Sequence, residues 1–354
     1  MKRGNLFGLG VALLFFTNSF STCYAAEVIK LKYAEIMVPT HVVSILAQQF
    51  CDEIKKRTNG RVEIFHYPGG TLTATNKVFN GVVTGISDLG MSQIGYNRGR
   101  FPVTEIQDLP LGFPSGYVST QVINDFYNKF RPKEWDSVHV LHFHNPGTNV
   151  FQLVNKPVRK LEDLKGLKLR ATARQGDILK ALGAVPVPLE MADLYESMRR
   201  NVIDGNYGGI QQTKGWRMAE VIKYVTASWK LGSVYTFYVI MNKDKWNSLP
   251  DDIKQIFTAV AAEYREKYAV ANNEIDIEGR DLCLAKGVEI ISLTDAESRR
   301  WIKAVEPVIE DYKKDLTSKG YSLAQADEFV TYMKERIEFW RQKEKERGIP
   351  TPYE

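Results

Sequence analysis

Arg170 is the residue whose type and surroundings best suit it to chemistry. It closes a short apolar run, Leu167-Lys168-Leu169-Arg170, inside the segment Leu164–Gly209. A guanidinium presents a planar fork of N–H donors and holds a carboxylate through two charge-assisted hydrogen bonds, which a lysine cannot do. The segment reads as strand, helix, strand, helix and then the turn Asp204-Gly205. That is how an α/β domain points a fixed cation at a small anion. The bland alternative is an ion pair inside the protein, to Glu190 or Asp193. Lys168 and Arg174, on either side, read as solvent-facing.

Catalysis has little support. The chain contains no G-x-S-x-G, no H-E-x-x-H and no P-loop, and no G-x-G-x-x-G opens a helix. It is therefore read as a binding protein and not an enzyme, with no cofactor. His142 and His144 could share a strand face with His139 close by. Zinc takes three or four ligands, and no cysteine or acid cluster accompanies them, so no metal is expected.

The elements that would carry Arg170 follow from periodicity. Lys30–Met37 is β-prone and ends at Pro39-Thr40-His41. Val43, Leu46, Ala47, Phe50 and Ile54 then recur at helical spacing until Asn59-Gly60. Strands follow at Val62–Phe65, Ser87–Met91, Val138–Phe143, Asn149–Val154, Val234–Met241 and Val288–Ile291, with helices between. This alternation predicts a mostly parallel sheet with helices on both faces. The segment 98–114 contains three prolines and reads as a long loop or lid hinge. Trp216–Val221 reads as helix. Pro250 opens a long helix whose first turn carries Asp251 and Asp252, as the helix dipole favours.

The ends and the charge bound the partners. Lys2 and Arg3 precede an apolar run of eleven residues, Leu6–Phe16, and Cys23-Tyr24-Ala25 offers a cleavage site after Ala25. A membrane span needs about 20 apolar residues, so this run reads as a signal peptide and the mature chain as soluble and exported. Acylation at Cys23 is the minor alternative. Losing Lys2 and Arg3 and no acid lowers the formal charge from +5 to +3. Basic and acidic residues alternate over 336–347, which excludes a nucleic-acid surface. Cys51 and Cys283 sit far apart in helical segments and read as two free thiols, a disulfide being the alternative that export permits.

The blocks LEDLKGLKLR, LGAVPVPLEMADLYESMRRNVIDG and EVIKYVT, with YPGGTL and GRFPVTEIQDLP before them, resemble the solute receptors of tripartite ATP-independent periplasmic (TRAP) transporters, the DctP family. The likeness runs from about Leu31 to about Trp340. It implies a two-domain α/β periplasmic solute-binding fold, with hinged lobes, mixed sheets flanked by helices and a long domain-spanning helix. On that pattern a signal peptide covers 1–25. One lobe takes 26–149 plus 236–286, the other 150–235 plus 287–320, and a C-terminal helix and tail 321–354.

The resemblance implies a receptor for a small organic acid, which it delivers to a small and a large membrane permease subunit driven by an ion gradient. Arg170 falls on the family's carboxylate-binding arginine. Asn149 takes the place where many members carry a second arginine, and Phe151 shares its strand face. Tyr207 follows the Asp-Gly turn where an acid and an asparagine are usual. These changes favour a monocarboxylate with a less polar body. Tyr207, Met191 and Phe151 are expected around that body. Gln93, preferred over Ser92 and Tyr96, is expected to reach it from the first lobe, and Gln211 from beyond the glycines. Trp216 reads as packing or hinge. His41 either contacts the ligand or caps the helix after it. A membrane sensor kinase as partner, or an exported enzyme on the same scaffold, are the alternative functions.

Overall fold

The computed structural model describes Met1 and residues 27–353. The expected cleavage site after Ala25, and Cys23, lie outside the described residues. The strands are β1 (Ile29–Glu35), β2 (Val62–Tyr67), β3 (Leu89–Gln93), β4 (Val138–His144), β5 (Asn149–Leu153) and β6 (Lys168–Arg170). They continue with β7 (Val185–Val187), β8 (Gly205–Gly209), β9 (Tyr224–Ala227), β10 (Phe237–Asn242) and β11 (Glu289–Ser292). The helices are α1 (Val42–Arg57), α2 (Val78–Val83), α3 (Gly116–Phe130), α4 (Ala173–Ala181) and α5 (Met191–Arg199). After them come α6 (Gln212–Gly215), α7 (Lys243–Ser248), α8 (Asp251–Ala285), α9 (Asp295–Ser318) and α10 (Leu323–Glu346).

The strands form two sheets, in the orders β2-β1-β3-β10-β4 and β11-β9-β5-β8-β6-β7. Both are mixed and flanked by helices, as the resemblance implies, whereas periodicity alone pointed to a mostly parallel sheet. In the first, β10 runs antiparallel to β3 and β4. In the second, β5 runs antiparallel to β8 and β9. Each of these two strands is reached from the other sheet by a short crossing, β4 to β5 and β9 to β10, while β11 is reached through α8. Each of the two starts at the hinge and runs away from it, so its neighbours end there. The C-terminal ends of β1, β3, β6 and β8 therefore face one another across the hinge. In α/β sheets that is where ligands bind.

Local sequence explains the main helices. The apolar stripe of α1 is buried, and His41 caps it by accepting a 3.2 Å hydrogen bond from Val43 N–H. Lys55, Lys56 and Arg57 fill its last turn, where the helix dipole favours cations. Helix α8 has 35 residues, about 50 Å at 1.5 Å each. It packs on α1, α3 and β4 on the first-sheet side and on α6 and β11 on the other, so it spans both domains. No helix among the described residues is long and apolar enough to cross a membrane.

The tail after α10 lies across the hinge. Asn273 and Arg280 on α8 donate to Pro350 O (3.1 Å) and Pro352 O (3.0 Å). The Tyr353 hydroxyl lies 3.1 Å from both Thr148 O and an Asp276 carboxyl oxygen. The other Asp276 oxygen accepts from Gln211 N–H at 3.0 Å, and burial pushes this acid up to about 7.

Several sequence expectations are corrected. Residues 98–114 form no open lid: Phe101, Val103, Ile106, Leu109 and Phe113 are buried, and Phe101 stacks on Trp135 at 4.4 Å. Alternating prolines and buried apolar residues mark a packed irregular segment. Trp216–Val221 contains only a short 3-10 turn at Met218–Glu220, and β10 begins at Phe237, not Val234. Arg174 is buried and ion-paired instead of solvent-facing. Cys51 and Cys283 are both free and buried, and burial pushes both thiols up.

Candidate anion site in the cleft between the domains

Arg170 ends β6, an interior strand of the second sheet, and is 1 % exposed. Its Nε donates to Leu189 O at 3.0 Å. Its two terminal nitrogens lie 3.4 Å from the hydroxyls of Tyr235 and Tyr96. The guanidinium also sits 5.5 Å from the centre of the Tyr235 ring. All these partners are neutral, and among the described residues Arg170 forms no ion pair. Glu190 and Asp193, the acids of the bland alternative, leave it alone. A buried cation held only by dipoles keeps much of its desolvation penalty, which an arriving carboxylate would offset.

Tyr235 connects this arginine to the sheet. Its hydroxyl donates to Tyr207 O at 3.1 Å. Burial raises its phenol above the usual range although the adjacent guanidinium pulls the other way, so it stays a neutral donor. Tyr96 follows β3 and reaches Arg170 from the opposite domain.

A cavity of about 110 Å³ opens beside Tyr96. Met37, Val38 and Phe237 line it from the first domain, and Met191, Gln211 and Trp216 from the second. No Asp, Glu, Lys or Arg lines it. A larger groove of about 860 Å³ runs between the C-terminal tail and Pro114. It is edged by Lys230, Glu338, Arg341 and Lys345 and lacks converging buried donors, so the smaller cavity is the candidate site.

The expected residues are placed unequally. Met191 and Gln211 line the cavity, whereas Arg170 does not: it stands behind Tyr96, whose hydroxyl lies 3.4 Å from its guanidinium. His41 stands just behind the cleft: its Nδ1 is used by the helix cap, and its Nε2 lies 3.0 Å from Gln211 Oε1 on the other domain. Burial lowers its pKa, so the ring is neutral and Nε2 carries the proton. The ring sits so close to Gly215 that a Cβ there would lie 2.6 Å from it, which explains the glycine. Gln93 is buried at the end of β3, near Thr172.

Tyr207, Phe151 and Asn149 do not line the cavity. Tyr207 and Phe151 pair across β8 and β5, with ring centres 4.6 Å apart, and Phe151 packs edge-on against Trp301. The Tyr207 hydroxyl bonds Ser233 Oγ at 2.7 Å, and Asn149 Nδ2 reaches the same oxygen at 3.4 Å. Strand alternation is the reason. Asn206 pairs with Arg170 and shares its face, so Tyr207 points into the core behind. Tyr235, Phe237 and Met37 were missed as site residues, and Trp216 lines the cavity where packing was expected. Tyr235 and Phe237 both stand where the crossing from β9 enters β10, and that position was the available signal.

His142 and His144 pack their rings against Tyr268, at 5.2 and 4.6 Å. Burial pushes His142 down to about 3. Among the described residues no group of three or more His, Cys, Asp or Glu converges as a metal site would.

Comparison with known proteins agrees with this architecture. The family model "Bacterial extracellular solute-binding protein, family 7" (DctP) matches residues 33–315. The chain is 26 % identical to the 2,3-diketo-L-gulonate-binding periplasmic protein of Escherichia coli, over 80 % of this chain and 87 % of that one. A TRAP periplasmic solute-binding protein from Desulfovibrio salexigens superposes with a TM-score of 0.76 at 31 % identity, covering 86 % of this chain and 95 % of that chain. A TRAP solute-binding protein from Rhodoferax ferrireducens in complex with benzoate superposes with a TM-score of 0.82 at 22 % identity, covering 89 % and 99 %. With two mixed sheets, a shared spanning helix and a family match over most of its length, this chain belongs to the DctP family of TRAP solute-binding proteins.

Proposed function

We propose that this chain is the periplasmic receptor of a TRAP transporter, that it binds a small monocarboxylate through Arg170, and that it hands the acid to small and large permease subunits for ion-gradient-driven uptake. The observation that carries the reading is the buried Arg170 fork, which meets only neutral oxygens. The carboxylate takes the two terminal nitrogens, with the Tyr96 hydroxyl as a further donor, the Tyr235 proton being engaged by Tyr207 O. Met191, Trp216, Phe237 and Met37 cover the body of the ligand. The lobes divide at the crossings near Asn149 and Thr236, and the His41–Gln211 bond holds them together once closed.

Among the described residues the cavity lining carries no cation, and Arg170 adjoins it only through Tyr96, so one carboxylate is the most this site would neutralise, which supports a single carboxylate. Benzoate and 2,3-diketo-L-gulonate, named for two of the relatives, each carry one carboxylate. Micromolar affinity is about −8 kcal/mol, within reach of one bidentate ion pair plus modest apolar burial.

A thermal-shift screen against mono- and dicarboxylic acids tests this, since a ligand that binds only the folded chain raises its melting temperature. Monocarboxylates should register. A screen in which only dicarboxylates did so would refute the single-carboxylate reading, and one with no acid at all would refute the receptor.

A further inference from the structure

Among the described residues, Gln93 Oε1 and Thr172 Oγ1 are buried oxygens without a hydrogen-bond partner, as is Asn206 Oδ1 on the strand beside Arg170. Gln93 is 2 % exposed and Thr172 is 7 % exposed. They come from opposite domains, Gln93 at the end of β3 and Thr172 just past β6. They converge over Gly95, where an added Cβ would lie 3.1 Å from Thr172 Oγ1 and 3.5 Å from Gln93 Oε1. The missing side chain at Gly95 leaves a narrow gap between them, about one atom wide and closed on the third side by Ala173 Cβ at 3.4 Å.

Thr172 is also the N-cap of α4, yet its hydroxyl makes no capping bond. A threonine in that position ordinarily accepts from the first turn of its helix. Here the hydroxyl is left for something else. Two phenols connect the surroundings of the gap to the arginine. Tyr96, next to Gly95, has its hydroxyl 3.4 Å from Arg170. The Thr172 backbone N–H faces the Tyr235 hydroxyl, which is itself 3.4 Å from Arg170.

The donor–acceptor inventory decides what fits. An amide oxygen only accepts, whereas a threonine hydroxyl donates or accepts. A ligand hydroxyl can donate to Gln93 Oε1 and accept from Thr172 Oγ1, and so satisfies both. A keto oxygen cannot donate and leaves Gln93 Oε1 bare. An ammonium group cannot accept, and it brings a second positive charge next to Arg170. A plain CH₂ leaves both oxygens bare, and buried polar atoms left unpaired are what make a site discriminate. We infer that this pair reads a hydroxyl next to the carboxylate, so that the preferred ligand class is a 2-hydroxy acid; this rests on the receptor reading above.

The test is calorimetric titration of the wild type, Thr172→Val and Gln93→Met. The probes are two matched series: lactate, propionate and pyruvate; mandelate, phenylacetate and phenylglyoxylate. In the series whose body fits, the hydroxy acid should bind about tenfold or more tighter than its two partners. Thr172→Val, which keeps the side-chain shape, should bring the hydroxy acid to within about threefold of the unsubstituted acid while leaving the latter's affinity in place. Gln93→Met should act in the same direction. A wild type that binds the unsubstituted acid as well as the hydroxy acid, or binds other acids and no hydroxy acid, overturns the inference alone. So does a variant that weakens all three acids alike, which would assign these side chains to packing. A chain that binds no acid of any kind takes down the receptor reading as well.

Discussion

Arg170 and Arg174 stand one helical turn apart in sequence, and both are buried, but their surroundings differ. Arg174 meets Glu105 at 2.9 Å and Asp315 at 2.7 Å, and so joins α4 to α9 and to the packed segment after β3. Arg170 meets a carbonyl and two phenols. The first arginine is neutralised by the protein and serves the fold. The second is solvated by the protein without being neutralised, which is how a site waits for an anion. Burial alone does not tell them apart; the charge of the partners does.

The comparison can be broken most directly at Arg170. Arg170→Ala should weaken binding of the acid by at least about a hundredfold, near 3 kcal/mol, with the melting temperature unchanged or higher. Calorimetry and a thermal melt on the same sample check both halves. Unchanged affinity would remove Arg170 from the site. Arg174→Ala should do the reverse. It leaves Glu105 buried without its cation and should lower stability by about 3 kcal/mol in a urea melt, while the folded fraction keeps its affinity.

Asp276 sharpens the contrast, because it is a buried charge-bearing group that can escape its charge. Arginine cannot lose its proton in a protein, whereas an acid can take one up. Burial pushes Asp276 up to about 7, from 3.8 in an unfolded chain. Its folded pKa is the higher one, so the folded state binds more protons between those values. The stability it contributes is present below about pH 4 and is lost as the pH rises through 7, at roughly 1.4 kcal/mol per unit. Asp276→Asn mimics the protonated acid. It should melt above the wild type at pH 8 and close to it at pH 4, in melts run across that range. The smallest effect is expected at the cavity wall. Trp216→Ala should cost about tenfold in affinity through lost apolar cover, with no change in the salt dependence of binding.

What was legible in the sequence depended on range. The stripes of α1 and α8 repeat within a turn or two, and Arg170 stood out from its own segment. Faces and partners needed pairings that short windows do not contain. Tyr207 went to the core because β8 pairs in register with β6, so that Asn206 aligns with Arg170. Arg174 was read as exposed because its partners, Glu105 and Asp315, lie far away on both sides in the chain. Met37, Phe237 and Trp216 meet only when the two sheets face each other, and nothing local marks them as neighbours.

The tail across the hinge has a practical consequence for handling the protein. Tyr353 stacks near Trp229 at 4.6 Å and touches Asp276, whose other oxygen holds the Gln211 backbone beside the cavity. A purification tag or fluorescent fusion joined close behind Tyr353 would pull on a residue two contacts from the cavity. Affinities measured on such a fusion would carry the tag's signature. A reporter belongs on the exposed outer face of α9 or α10 instead, where side chains such as Lys303 and Lys334 meet solvent.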